Sequence, residues 1–165
     1  MAAHDGVDRI VEQWGRERPD LDTTAMAVLG RVYRLARLAG DEVERAYAGF
    51  GISRAEFDVL ATLRRSGEPY QHSPGTLAAS MMLSTGGTTA RLDRLEKAGL
   101  VTRAPDPGDR RGVLVRLTRH GREIIDEAVT AGLARQQSLL AHLSPAARQQ
   151  LGDLLRDVLS PLEPG

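Results

Sequence analysis

The chain has 165 residues, 22 basic and 22 acidic side chains, and no cysteine. That length supports one domain with a real core and leaves no room for two, while the lack of cysteine excludes disulfides, thiolate metal sites and thiol-based oxidation sensing. No run is long or apolar enough to span a bilayer and no signal peptide is visible, so a cytoplasmic protein without a membrane partner is expected.

Val7 to Trp14 (VDRIVEQW) reads as a short amphipathic helix, with Val7, Ile10, Val11 and Trp14 on one side. Pro19 and Asp20 break it. A longer helix is predicted from about Thr23 to Tyr47, because Val28, Leu29, Val32, Leu35, Ala36, Ala39, Val43 and Ala46 recur every three or four residues. Gly49 and Gly51 end it. Ser53-Arg54-Ala55-Glu56 is a capping box, and it opens a helix carrying Phe57, Leu60, Ala61 and Leu63 that stops near Gly67. Gly67 to Gly75 reads as a loop. Ser73-Pro74 then starts a helix with serine as N-cap and proline at its first position.

The stretch from Ser84 to Thr118 organises the rest. A helix is expected first, with Ser84 as N-cap, Leu92 and Leu95 on one face and Gly99 as the stop. Leu100 to Ala104 suits a strand. Pro105-Asp106-Pro107-Gly108 forces a turn, and Val113 to Leu117 alternates as a second strand. Helix, strand, arginine-bearing turn and strand make the second half of a winged helix-turn-helix, with the helix from Pro74 supplying the first. At the turn, Asp109-Arg110-Arg111 places guanidinium groups where they can enter a narrow minor groove. Asp109 is expected to hold the Arg111 guanidinium extended by a bidentate pair. At the exposed start of the helix, Ser84, Thr85, Gly86, Thr88 and Thr89 suit phosphates or thymine methyls. Arg94 is a weaker DNA candidate, which can instead pair with Asp93 or Glu96. Between Arg64 and Arg119, ten cations face five anions, a local excess of five in a chain of zero net charge. A basic middle with acidic flanks suits a reader of double-stranded DNA whose outer parts do another job.

After the wing, Thr118 caps a helix running to about His142, and Ser144-Pro145 starts a last one. The terminal helices are too apolar to be covered by so small a core. A partner chain is the economical cover, and residues 1–49 and 119–162 are assigned mainly to dimerisation. The four histidines lack metal-ligand spacing. Gly86-Gly87-Thr88-Thr89 lacks the lysine of a phosphate loop, and no serine sits in a nucleophile setting. No catalytic residue, metal site or cofactor is assigned. Three readings stand: a ligand-responsive DNA-binding regulator, a DNA-binding protein without an effector, and an enzyme or protein-binding module on the same fold.

Three motifs together resemble the MarR (multiple antibiotic resistance regulator) family: LDRLEKAGLVTR (Leu92 to Arg103), DPGDRRG (Asp106 to Gly112) and LTRHG (Leu117 to Gly121). The resemblance implies a mostly α-helical fold: a winged helix-turn-helix over residues 53–118 with a two-stranded β-wing and N- and C-terminal dimerisation helices, all in one domain over 1–165. It also implies a homodimer on a palindromic operator, acting as a repressor. The extra N-terminal helix and the run from Gly15 to Leu35 look like the urate-responsive, PecS-like subgroup. In that subgroup a tryptophan, an aspartate and an arginine form the ligand site. Trp14, Asp58 and Arg91 match these by motif context, with urate, a purine or a carboxylate as the implied effector. Ser66 falls where that subgroup often carries asparagine.

Overall fold

The computed structural model describes residues 4–81 and 87–163, with the Arg110 side chain excepted. The chain divides into two compact units, one reaching to Glu42 and one starting at Val43. In the first unit, α1 (Gly6–Glu17) starts at a capping box in which Asp5 accepts from the amides of Val7 and Asp8, while Asp8 accepts from the Asp5 amide. This box was not foreseen from sequence. The same two carboxylates bind Arg31, which lies on α2 (Thr24–Ala48) at 2.9 and 2.5 Å. Val7 is buried, and Gly30 lets its methyl groups approach.

The second unit contains α3 (Arg54–Arg65), β1 (Gln71–His72), α4 (Pro74–Ser80), α5 (Thr88–Lys97), β2 (Val101–Asp106), β3 (Asp109–Leu117), α6 (Arg119–Leu139) and α7 (Pro145–Leu159). Serine or threonine caps four of its helices: Ser53, Ser73, Thr118 and Ser144 each accept the expected main-chain N–H. The core collects Val59, Leu60 and Leu63 of α3, Leu77 of α4, Leu92 and Leu95 of α5, Val101 and Val115 of the sheet, and Ile125 and Ala128 of α6.

Two expectations need correction. The sheet has three antiparallel strands in the order β1-β3-β2, because Gln71 and His72, read as loop, pair with Arg116 and Val115. A two-residue strand carries no periodicity to read; it exists through its partner. The reading helix α5 is described from Thr88, with Gly87 in the N-cap position at φ 86° and no side-chain cap bond. Ser84, expected as that cap, lies outside the described residues, as do Thr85 and Gly86.

Gly121, in the first turn of α6, is a packing requirement. A Cβ there would sit 2.0 Å from the Leu100 carbonyl oxygen. The backbones of α6 and the α5–β2 junction therefore touch directly. Thr118 fastens the same contact by donating to the Gly99 and Leu100 carbonyls.

Candidate nucleic-acid interface and effector position

The wing is a hairpin whose strands close at Asp106 and Asp109 around Pro107-Gly108. Asp106 Oδ1 accepts from the Gly108 amide at 2.8 Å, and Asp109 Oδ1 accepts from the Arg111 amide at 2.9 Å. Both aspartates thus shape the turn through main-chain bonds. This corrects the expected Asp109–Arg111 side-chain pair: the carboxylate is committed to the backbone, and the exposed Arg111 side chain extends without it. The Arg110 side chain lies outside what is described.

On α5, Thr89 is exposed and Thr88 half-buried. Arg94 pairs neither with Asp93 nor with Glu96. Its Nε donates to Glu56 Oε1 at 2.7 Å, and Glu56 is buried at the start of α3. Burial alone would push the Glu56 carboxyl up. Hydrogen bonds from Ser53 and Arg94 outweigh it and hold the group below its ordinary range. Asp93 and Glu96 instead bind Arg103 of β2, at 2.6 and 3.4 Å. The reading helix is therefore clamped to α3 on one side and to the root of the wing on the other. Neither Glu56 nor Arg103 was singled out from sequence as part of this interface. Glu56 was legible only as a capping residue, because its partner lies 38 residues away.

Asp58 on α3 and Arg91 on α5 are brought into electrostatic reach of each other. Asp58 Oδ2 and Arg91 Nη1 are both buried, and neither has a hydrogen-bond partner among the described residues. Burial raises the Asp58 carboxyl above its ordinary range, opposed by the charges of Arg54, Arg91 and Arg65. Unpaired buried polar atoms cost about 1–3 kcal/mol each. Of these two atoms, one is an oxygen that seeks a donor and the other a nitrogen that seeks an acceptor, each left without a partner among the described residues. Trp14 belongs to the first unit, on α1, and is 42% exposed. Ser66 donates to the Leu63 carbonyl as the C-cap of α3. Among the described residues no helix is long and apolar enough to cross a membrane, and no cluster of metal-ligating side chains is found.

Comparison with known proteins bears on the family and the fold. A family model described as MarR family matches residues 50–112. The HTH-type transcriptional regulator PecS of Dickeya dadantii is 39% identical, with 94% of this chain and 93% of that protein covered. The multiple antibiotic resistance protein MarR of Escherichia coli is 32% identical, with 79% of this chain and 90% of that protein covered. A crystal structure of mutant MarR from E. coli complexed with operator DNA superposes with a TM-score of 0.71 at 29% identity, covering 83% of this chain and 97% of that one.

Proposed function

The chain belongs to the MarR family of transcription regulators, with their winged-helix DNA-binding fold, and on that premise we propose that it is a homodimeric repressor released from its operator by a small planar or anionic metabolite. In this reading α5 enters the major groove. The exposed Thr89 and the residues before Thr88 meet the DNA, and Arg111, with Arg110 beside it, enters the adjacent minor groove. Arg94 stays the weaker DNA candidate: its Nε is held by Glu56, while the rest of its exposed guanidinium makes no ion pair among the described residues.

The observation that supports an effector is the pair of open atoms, Asp58 Oδ2 and Arg91 Nη1. One stands on the scaffold helix and the other on the reading helix. A ligand that gives an N–H to Asp58 and an oxygen to Arg91 satisfies both and ties α5 to the position it then holds. A purine such as urate carries both kinds of group on one planar edge. A simple carboxylate serves Arg91 only. Trp14, on the first unit, enters this reading only through the family resemblance. Release follows only if the ligand prefers the conformation that does not fit DNA.

A gel shift on the operator fragment with added urate, xanthine or citrate tests the scheme. Trp14→Ala and Asp58→Ala should keep operator affinity and lose ligand-induced release, and Arg91→Ala should also lose it. If Trp14→Ala and Asp58→Ala release DNA at the wild-type ligand concentration, the effector acts elsewhere. If no compound raises the melting temperature of the wild-type protein, the alternative of a DNA-binding protein without an effector takes its place.

A further inference from the structure

The root of the wing holds a second polar cleft, of about 460 Å³, that neither DNA reading nor the Asp58–Arg91 position uses. Its walls come from the turn before β1, from β2 and β3, and from the first turn of α6. Tyr70, Thr102, Arg116, Thr118, Arg119 and Arg122 face it. Glu68 is the one carboxylate in its lining, against three guanidinium groups.

The four arginines in and around this cleft divide sharply by partner. Arg64, beside it, forks onto Asp126 at 2.8 and 3.3 Å, and Arg119 pairs with Glu123 at 3.0 Å. Arg116 and Arg122 have no carboxylate partner among the described residues. Arg122 lies 4.6 Å over the ring of Tyr70, whose other neighbour is the Arg64 guanidinium at 5.2 Å. The ring is itself fixed. Tyr70 sits at φ 56°, unusual for a residue with a Cβ, and main-chain bonds hold it on both sides, to the Gly67 carbonyl and from the Leu117 amide. Arg122 is thus parked by a cation–π contact that leaves its N–H fork available. The long helix α6 adds the positive end of its dipole at Arg119.

We propose that this cleft binds a small oxyanion, held chiefly by Arg116 and Arg122. A planar fork matches two oxygens of a phosphate or carboxylate, and two forks beside a helix start favour such a group over a halide. The same chemistry could be supplied by a DNA phosphate, but the position argues for a free ion. Thr102 pairs with Arg116 four residues back from the Asp106–Asp109 closure, so the cleft stands roughly 14 Å behind the tip that enters the groove.

The test is titration of the full-length protein with inorganic phosphate against chloride at constant ionic strength, following the arginine Nε–H signals by NMR. The Arg116 and Arg122 signals should move together and saturate. Arg116→Gln should weaken binding by about tenfold or more, while the phosphate-free melting temperature stays at the wild-type value, since Arg116 is exposed and makes no side-chain bond. Signals that drift without saturating, or equal affinity in Arg116→Gln, overturn the site. The slope of log operator affinity against log salt should be unchanged in Arg116→Gln. A fall of about one means the cleft takes a DNA phosphate, and the free-ion site is rejected.

Discussion

At the tip of the wing, Arg111 is exposed and its main-chain amide is fixed by Asp109. The side chain can therefore reach DNA from a turn that does not have to form first. Arg111→Ala should weaken binding to any operator variant by about 1–3 kcal/mol, read from gel shifts at moderate salt. Unchanged affinity would remove the wing from the interface. A second prediction concerns Asp58. Burial raises its carboxyl above the unfolded value, so the native state holds that proton more tightly than the unfolded chain does. Its favourable contribution is complete below the unfolded pKa and is lost as pH rises through the raised folded one. Asp58→Asn should melt above wild type at pH 7, and the gap should close toward about pH 4. A lower melting temperature at pH 7 would mean that attraction from Arg54, Arg91 and Arg65 outweighs the burial. A gain in stability together with loss of ligand response would mark a residue kept for binding rather than for the fold.

Among the elements, α5 is positioned by three independent fastenings: Arg94 on Glu56, Arg103 on Asp93 and Glu96, and the apolar pair Leu92 and Leu95 in the core. The wing root adds a fourth at Gly121. Gly121→Ala drives a methyl into the Leu100 carbonyl, and its cost should reach at least the roughly 1–3 kcal/mol of an overpacked core. Denaturant unfolding measures it, and a loss below about 0.5 kcal/mol would show that α6 can slide without penalty. The starts of α3, α4, α6 and α7 were legible because a hydroxyl before a helix has one dominant use, which is to cap it. The start of α5 was not, since Gly87 caps without a side chain. Strand β1 was illegible for a different reason: its two residues are ordered by β3, more than forty positions later.

For the molecule as a whole, apolar side chains remain uncovered. Leu154, Val158 and Leu159 of α7 are 57%, 49% and 49% exposed, and Tyr33 and Val28 of α2 are 70% and 55% exposed. Such surface at both chain ends supports the two-fold dimer proposed above. Light scattering should give twice the chain mass of 17.9 kDa. Leu154→Asp with Val158→Asp should shift that value toward the monomer and abolish operator binding. A monomer that binds asymmetric DNA with full affinity would defeat the dimer and the near-palindromic operator together, whose half-sites should lie about 34 Å apart.

The sequence alone determined the order of the described helices, the hydroxyl caps of α3, α4, α6 and α7, the winged helix-turn-helix and the wing tip. These are written in local signals: hydroxyl caps, apolar spacing of three and four, and a Pro/Gly turn between two short strands. It also placed Asp58 and Arg91 side by side in one argument, through resemblance rather than through any pattern in the residues themselves. Only the tertiary structure decided what each charge does. Arg94 went to Glu56 instead of to its helical neighbours, Asp109 to a main-chain amide instead of a guanidinium, and Asp93 and Glu96 to Arg103. The physical reason is that a charged side chain can satisfy its hydrogen bonds with many partners at small cost difference. The choice falls to whichever group the folded backbone brings within about 3 Å, and spacing along the chain carries no record of that.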